Sequence, residues 1–454
     1  MKLLKKLTLL VFGLFFTLWV YGQEYTLLDI GRTYKDIPVD ENGIRLQFQL
    51  KKGGVYHFNI KQDKINKAIS IGNGKGEELM KIEGHPRDRG NKQFEFSPGK
   101  SGKYSLSIGP FRKSQANAEP RITIRIHKLS NATLRRREEI KKELAPENAK
   151  NVQTLDIDHF WEAFDALKDC RSYTDSVATF QKIYIDRATD GFKEFIRVRP
   201  SLTAENYIHA VRDFPKFYNS IRPQTYKVKE AAPLVEDVFR KFKEIYPNFK
   251  PFKVCFAIGR IRTGGTVSKN FVLIGSEMTT STAKNDLSEF KEPPFNNLIP
   301  FLAYEGDIVQ KIKNIVAHEC VHSQQQGKPA KDAIQCSLLS GSLLEGSGDF
   351  IGELLVGENI NKKVHKYGNA HEEELWNDFK KELCTNNFRN WMYNYASVKD
   401  KPADLGYYIG YKIAEAYYKN AEDKQKAIID IIEFNDPIEF LQKSKYDLKF
   451  RKKQ

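Results

Sequence analysis

The stretch Asp307–His322, DIVQKIKNIVAHECVH, decides how the C-terminal part of this chain folds. Ile308, Ile312, Ile315, Val316 and Cys320 recur at helical steps, and no Gly or Pro interrupts them, so the segment reads as one helix. On that helix His318 and His322 are separated by one turn and share a face. Two imidazoles so placed can hold one Zn2+ at about 2.0–2.1 Å each. Glu319 projects beside them, where a carboxylate can accept a proton from water at the metal; this is the HExxH pattern.

Such a site needs a third protein ligand and a position left open for water. Ser323–Gln326 follow His322, and Lys328 stands where a metzincin carries its third histidine, which excludes that class. Downstream, Leu343–Glu353 reads LLEGSGDFIGE. Glu345 lies 23 residues beyond His322, far enough for the chain to turn at Gly327–Pro329 and return as a second helix. Asp349 follows one turn later on the same face, and Glu353 is the alternative third ligand. The arrangement resembles that of gluzincins, HExxH followed by ExxxD, as in thermolysin-like peptidases. The resemblance implies Zn2+ as cofactor, Glu345 as third ligand with His318 and His322, and Asp349 as the carboxylate that hydrogen-bonds the outer nitrogen of a ligand histidine.

IVAHECVHSQQ, LLEGSGDFIGEL and LGYYIGYKIAEAYY (Leu405–Tyr418) together resemble a family of bacterial zinc-dependent peptidases that includes relatives of gliding-motility lipoproteins. The similarity covers about residues 155–450. The GGT…VLIGSE stretch (Gly264–Glu277) also fits. By this resemblance Gly264, Gly265 and Thr266 form an edge strand over the metal that binds an extended peptide by strand addition; on turn residues alone they are equally a simple hairpin. Tyr408 and Tyr407, ahead of Tyr411, are candidates for the donor that stabilises an oxyanion, although aromatic residues in a helix commonly serve the core. His365 and His371 are further candidates, and Asp404 reads as a helix cap.

Before this region the period is different. Ile44–Leu50, Val55–Ile60, Lys92–Phe96, Lys103–Ile108 and Arg121–Ile126 alternate apolar and polar residues, and Gly53–Gly54, Gly72–Gly74 and Pro98–Gly102 supply turns. Short strands at this spacing predict a β-sandwich. GGVYHFNI and SGKYSLSI resemble the sandwich modules found beside secreted bacterial peptidases. From Leu155 the periodicity is helical, interrupted by β-type runs at Phe252–Ile258 and Asn270–Ile274. The expected architecture is therefore multidomain: a leader over 1–22, an all-β sandwich over 23–130, a charged linker over 131–152 whose helix ends near Pro146, and a mainly helical α+β zincin-like domain over 153–454.

The 454 residues exceed one small core, and 40% hydrophobic composition excludes a mostly disordered chain. Met1–Lys6 is basic, Leu7–Val20 is apolar and uncharged, and small Gly22 precedes Gln23. This is the layout of a secretory signal, and the apolar run is shorter than the about 20 residues a spanning helix needs. Its removal would lower the formal charge from +15 to about +12. An exported, periplasmic or extracellular protein meets no nucleic acid, so the basic excess is expected to face an acidic substrate or the cell envelope. The five cysteines leave at least one thiol unpaired; Cys320 with Cys336 is one pairing the spacing allows. The function these features predict is zinc-assisted hydrolysis of a peptide or protein, with Glu319 as general base. The alternatives are a non-catalytic zincin-fold component of the envelope or a surface machine, and a binding protein that works through its sandwich.

Overall fold

The computed structural model describes residues 26–82, 90–110, 119–325, 336–395, 397–398 and 400–450. The expected leader and the turn at Gly327–Pro329 lie outside them. Two compact units divide between Arg137 and Glu138.

The first unit is a sandwich of two sheets. β1 (Thr26–Leu28), β3 (Ile44–Leu50), β5 (Ile69–Asn73), β6 (Glu78–Ile82) and β8 (Gly102–Ile108) form one, in the order β1-β3-β8-β5-β6. β2 (Thr33–Pro38), β4 (Tyr56–Asp63), β7 (Asn91–Phe96) and β9 (Arg121–Lys128) form the other, in the order β2-β9-β4-β7. In β3, β4 and β9 alternation buries one face of the strand. Leu46, Phe48 and Leu50 of β3 meet Tyr56, Phe58 and Ile60 of β4 and Ile122, Ile124 and Ile126 of β9 in a single core. The Phe48 and Phe58 rings, one from each sheet, pack edge to face at 5.4 Å. Each buried aliphatic or aromatic side chain of this kind contributes about 1.5–3 kcal/mol.

The expected linker is corrected. Residues 131–149 form one helix, α1 (Asn131–Ala149), which continues past Pro146. Its few apolar residues fall one turn apart, so Ile140 and Leu144 share a buried stripe despite the charged composition. Pro146 removes a helical donor opposite the carbonyl of Lys142, an exposed residue, where water can substitute. Glu147 then accepts the main-chain N–H of Thr154 at 2.6 Å and of Leu155 at 3.1 Å, which ties the helix to the following segment. The last of the supposed linker is strand β10 (Val152–Gln153).

In the second unit β10, β11 (Lys253–Ala257), β13 (Phe271–Gly275) and β12 (Gly265–Val267) make a sheet in the order β10-β11-β13-β12. β12 runs antiparallel to β13 at its edge. The stretch expected as either an edge strand or a hairpin is thus both. Around the sheet stand helices that include α2 (Asp190–Val198), α3 (Lys227–Ile245), α4 (Ile308–Gln324), α5 (Ser337–Val356), α6 (Lys362–Ala370) and α7 (Leu405–Asn420). No described helix is long and apolar enough to cross a membrane.

α4 starts where Asp307 accepts the N–H groups of Val309 and Gln310. α5 ends at Gly357, whose φ of 77° allows the left-handed cap. α5 and α7 cross with their backbones touching. A β-carbon on Gly410 would fall 1.7 Å from the carbonyl oxygen of Ser342, and one on Gly346 would fall 2.1 Å from the amide of Tyr411. A helical glycine costs up to about 1 kcal/mol against alanine, so these two positions serve the approach of the helices.

The cystine is Cys336–Cys384, which settles a pairing the spacing had left open. Cys320 is fully buried on α4. Leu338 and Leu339 donate to the carbonyls of Thr385 and Leu383, which lays that segment along the start of α5.

Lys311, early on α4, is 7% exposed and donates to the carbonyl of Ser281 at 3.2 Å, with its ammonium 4.8 Å from the centres of both the Phe301 and Tyr304 rings. Burial pushes its pKa down to about 7. A lowered lysine pKa means the cation opposes folding fully below about pH 7, and the opposition fades as pH rises towards 10.5. Lys311→Met is therefore expected to raise the unfolding temperature at pH 6 by on the order of 5 °C. The gain should shrink by pH 9, as read from thermal scans at both values.

Candidate metal centre

α4 and α5 place the titratable groups. His318 and His322 are successive turns of α4, and Glu345 and Asp349 are successive turns of α5, so the two packed helices face one pair of groups with another. Nε2 of His322 lies 2.9 Å from Nε2 of His318 and 3.1 Å from Oε2 of Glu345, and Nε2 of His318 lies 3.3 Å from that same oxygen. Among the described residues His318, His322 and Glu345 are the group of ligand atoms close enough to hold one metal ion.

The outer nitrogens explain why these three atoms converge. Nδ1 of His318 donates to Oδ1 of Asp349 at 2.7 Å, and Nδ1 of His322 donates to the side-chain oxygen of Gln325 at 2.6 Å. With both Nδ1 atoms donating, both Nε2 atoms present lone pairs to each other and to a carboxylate oxygen. Such a trio is repulsive unless a cation or a proton stands between. Ligands around a tetrahedral zinc at about 2.0–2.1 Å are separated by about 3.3 Å, close to the spacing here. The donor set therefore fits a zinc-sized ion with nitrogen and oxygen ligands. Asp349 is itself held, since its other oxygen accepts from Asn361 Nδ2 at 2.6 Å.

Burial alone would lower the pKa of His318, but the bonds to Asp349 and Glu345 outweigh it and hold the imidazolium well above its usual range. Burial would raise Glu345, yet His322 and His318 bring it well below the usual carboxylate range. Each partner stabilises the charged form of the other, and a cation in the centre would take the place of the shared protons.

Glu319 points to the other side of the pair, against the sheet edge. A β-carbon on Gly265 of β12 would come 2.2 Å from its Oε1, so any larger residue there would force this carboxylate to shift. Burial raises the Glu319 pKa, an effect that His322 and His318 partly offset.

The tyrosines divide. The Tyr407 ring lies nearly parallel to that of His318, with centres 6.2 Å apart. Tyr408 does not join the site: its hydroxyl donates to Asn369 of α6 at 3.0 Å and its ring packs on His365. Neighbouring residues on a helix point about 100° apart, so only one of the two could face α4. Tyr411 is bonded to Glu353 at 2.9 Å, and Glu353 also accepts from Asn359, so Glu353 is not the third member of the cluster. His365 bonds Asn359, and His371 bonds the carbonyl of Tyr367. Asp404 occupies the cap position of α7 without capping it; it accepts the N–H of Tyr393 at 2.6 Å.

Two groups at the site had not been singled out in the sequence. Gln325, one turn beyond His322, was open to the same spacing argument as the histidines. Tyr393, 63% exposed on the segment before α7, donates to Oε1 of Glu345 at 2.9 Å, and no local pattern marks it.

Residues 276–435, which hold α4, α5 and α7, match a family model described as "Predicted Zn-dependent protease". Among solved structures the chain is similar to the pre-peptidase C-terminal domain of a collagenase from Bacillus anthracis. The match has 10% identity and a TM-score of 0.19, and it covers 23% of this chain and 96% of that one. No curated protein matches.

Proposed function

We propose that the chain is an exported zinc-dependent peptidase of gluzincin type. The observation that carries this reading is the convergence of two imidazole lone pairs and the Glu345 carboxylate, with both Nδ1 atoms already committed to donating. His318, His322 and Glu345 would hold the metal. When bound, Zn2+ makes water acidic enough to be a nucleophile near neutral pH and polarises a carbonyl. Glu319 takes the proton of the attacking water and passes it to the leaving amine. β12 offers its free edge to an extended peptide. Gly265 sets that strand beside Glu319, so the bond to be cut runs between the carboxylate and the imidazoles. Tyr393 or Tyr407 supplies the hydroxyl that steadies the developing oxyanion. Met1–Gly22 directs export to the periplasm or beyond, and the basic surface meets an acidic substrate or envelope.

Zinc analysis of protein purified at neutral pH, together with digestion of unfolded proteins, tests the reading. One zinc per chain and proteolysis that a chelator abolishes and zinc restores are expected. A wild type that neither carries nor takes up zinc overturns it. Chelation should also lower stability, by about 4 kcal/mol when free zinc had exceeded its dissociation constant a thousandfold. Asp349→Ala, which frees the outer nitrogen of His318, should weaken zinc binding by about 10–100-fold in competition with a chromophoric chelator.

A further inference from the structure

A cavity of about 270 Å3 is bounded by the end of α2 and by the loop between β11 and β12, and Arg199, Arg260, Arg262, Thr263 and Glu277 line it. Three arginines and one glutamate thus share its wall. That carboxylate is committed to the loop: Glu277, fully buried, accepts the N–H of Gly259 at 2.6 Å and of Ile261 at 2.9 Å, the residues on either side of Arg260. Arg260 is half-buried and donates to the main-chain carbonyls of Asn206 and Ser201 at 3.1 and 2.9 Å. Arg262 is exposed. Among the described residues neither Arg260 nor Arg262 pairs with a carboxylate. Burial, and next to it repulsion from Arg262, lowers the pKa of Arg260.

The cavity adjoins the substrate edge. Arg199 donates to Thr263 at 3.3 Å and to Thr266 of β12 at 3.0 Å, so one side chain ties the cavity wall to the strand. Thr263 precedes Gly265, the residue opposite Glu319, by two positions. A peptide paired along β12 advances about 3.3 Å per residue. A side chain or chain end one or two residues from the cleaved bond therefore reaches the arginines.

We propose that this cavity is a subsite for a carboxylate of the bound peptide, either an acidic side chain or the C-terminus. It rests on β12 being the substrate strand of a peptidase. A carboxylate there gains charge-assisted bonds from planar donors, and a lysine side chain is repelled.

The test uses zinc-loaded full-length protein carrying Glu319→Gln, which binds peptide without turnover, and four fluorescent peptides of one sequence. They carry Glu or Gln at the position of interest and a free or amidated C-terminus. Anisotropy should show about tenfold tighter binding of one carboxylate-bearing set. Preference that follows Glu identifies the side chain, and preference that follows the free end identifies the terminus. The preference should collapse when Arg260→Gln or Arg262→Gln is added, with zinc content unchanged in both and the unfolding temperature unchanged in the exposed Arg262→Gln variant. Equal binding of all four peptides, or a preference that survives both arginine changes, overturns the proposal. Zinc-dependent cleavage without any carboxylate preference would sink the subsite and spare the peptidase. An arginine-dependent preference in a protein that takes up no zinc would do the reverse.

Discussion

Replacing Glu319 by glutamine is expected to leave one zinc bound and to lower peptide hydrolysis by about 10²–10⁴-fold. The amide fills the same space beside Gly265 and is not one of the three converging ligands, so neither fold nor metal content should change. What it lacks is a lone pair basic enough to accept a proton. Burial raises the proton affinity of Glu319 above that of a solvated carboxylate, and the group must be ionised to act. Steady-state kcat and zinc content, measured on the same preparation, decide the matter. A variant within tenfold of wild type would remove Glu319 from the reaction.

The second large effect is expected from the cystine. Cys336 and Cys384 are 48 residues apart, and closing a loop of that size restricts the unfolded chain by about 4 kcal/mol. Changing both to serine should lower the urea midpoint of the helical unit accordingly. The bridge sits at the start of α5, the helix that carries Glu345 and Asp349. The loss should therefore be partly recovered by excess zinc, which binds only the folded unit. A double variant as stable as wild type would show that the hydrogen bonds from Leu338 and Leu339 to Thr385 and Leu383 suffice to hold the segment.

Elements that bury one face were legible in the sequence. Alternation marked β3, β4, β7, β8 and β9 to within a few residues. β2 and β6 contain no fully buried residue and so leave no periodic trace. The converging groups were legible because helical spacing fixes side-chain direction: one turn apart on α4, one turn apart on α5. Tyr407 and Tyr408 could not be ranked, since Leu405–Tyr411 is apolar on every side and only the packing of α5 shows which face looks at α4. Tyr393 was invisible for another reason. It reaches Glu345 across 48 residues of chain, through an irregular segment held by Asp404. Likewise α1 looked like a linker, because two buried apolar residues among many charges are too few to register as a stripe.

The bare crossing of α5 and α7 sets a manufacturing tolerance for the whole centre. Gly346 is the next residue after Glu345, and its neighbour across the gap is the main chain of α7. A single methyl group at Gly346 or Gly410 would have to wedge the helices apart by more than an ångström. The Glu345 carboxylate on α5 would travel with its helix while the imidazoles stayed on α4. A coordination sphere whose members stand about 3 Å apart has little slack for such a shift. Substitutions in this seam, though they touch none of the three converging groups, are thus expected to weaken zinc uptake before they unfold the chain.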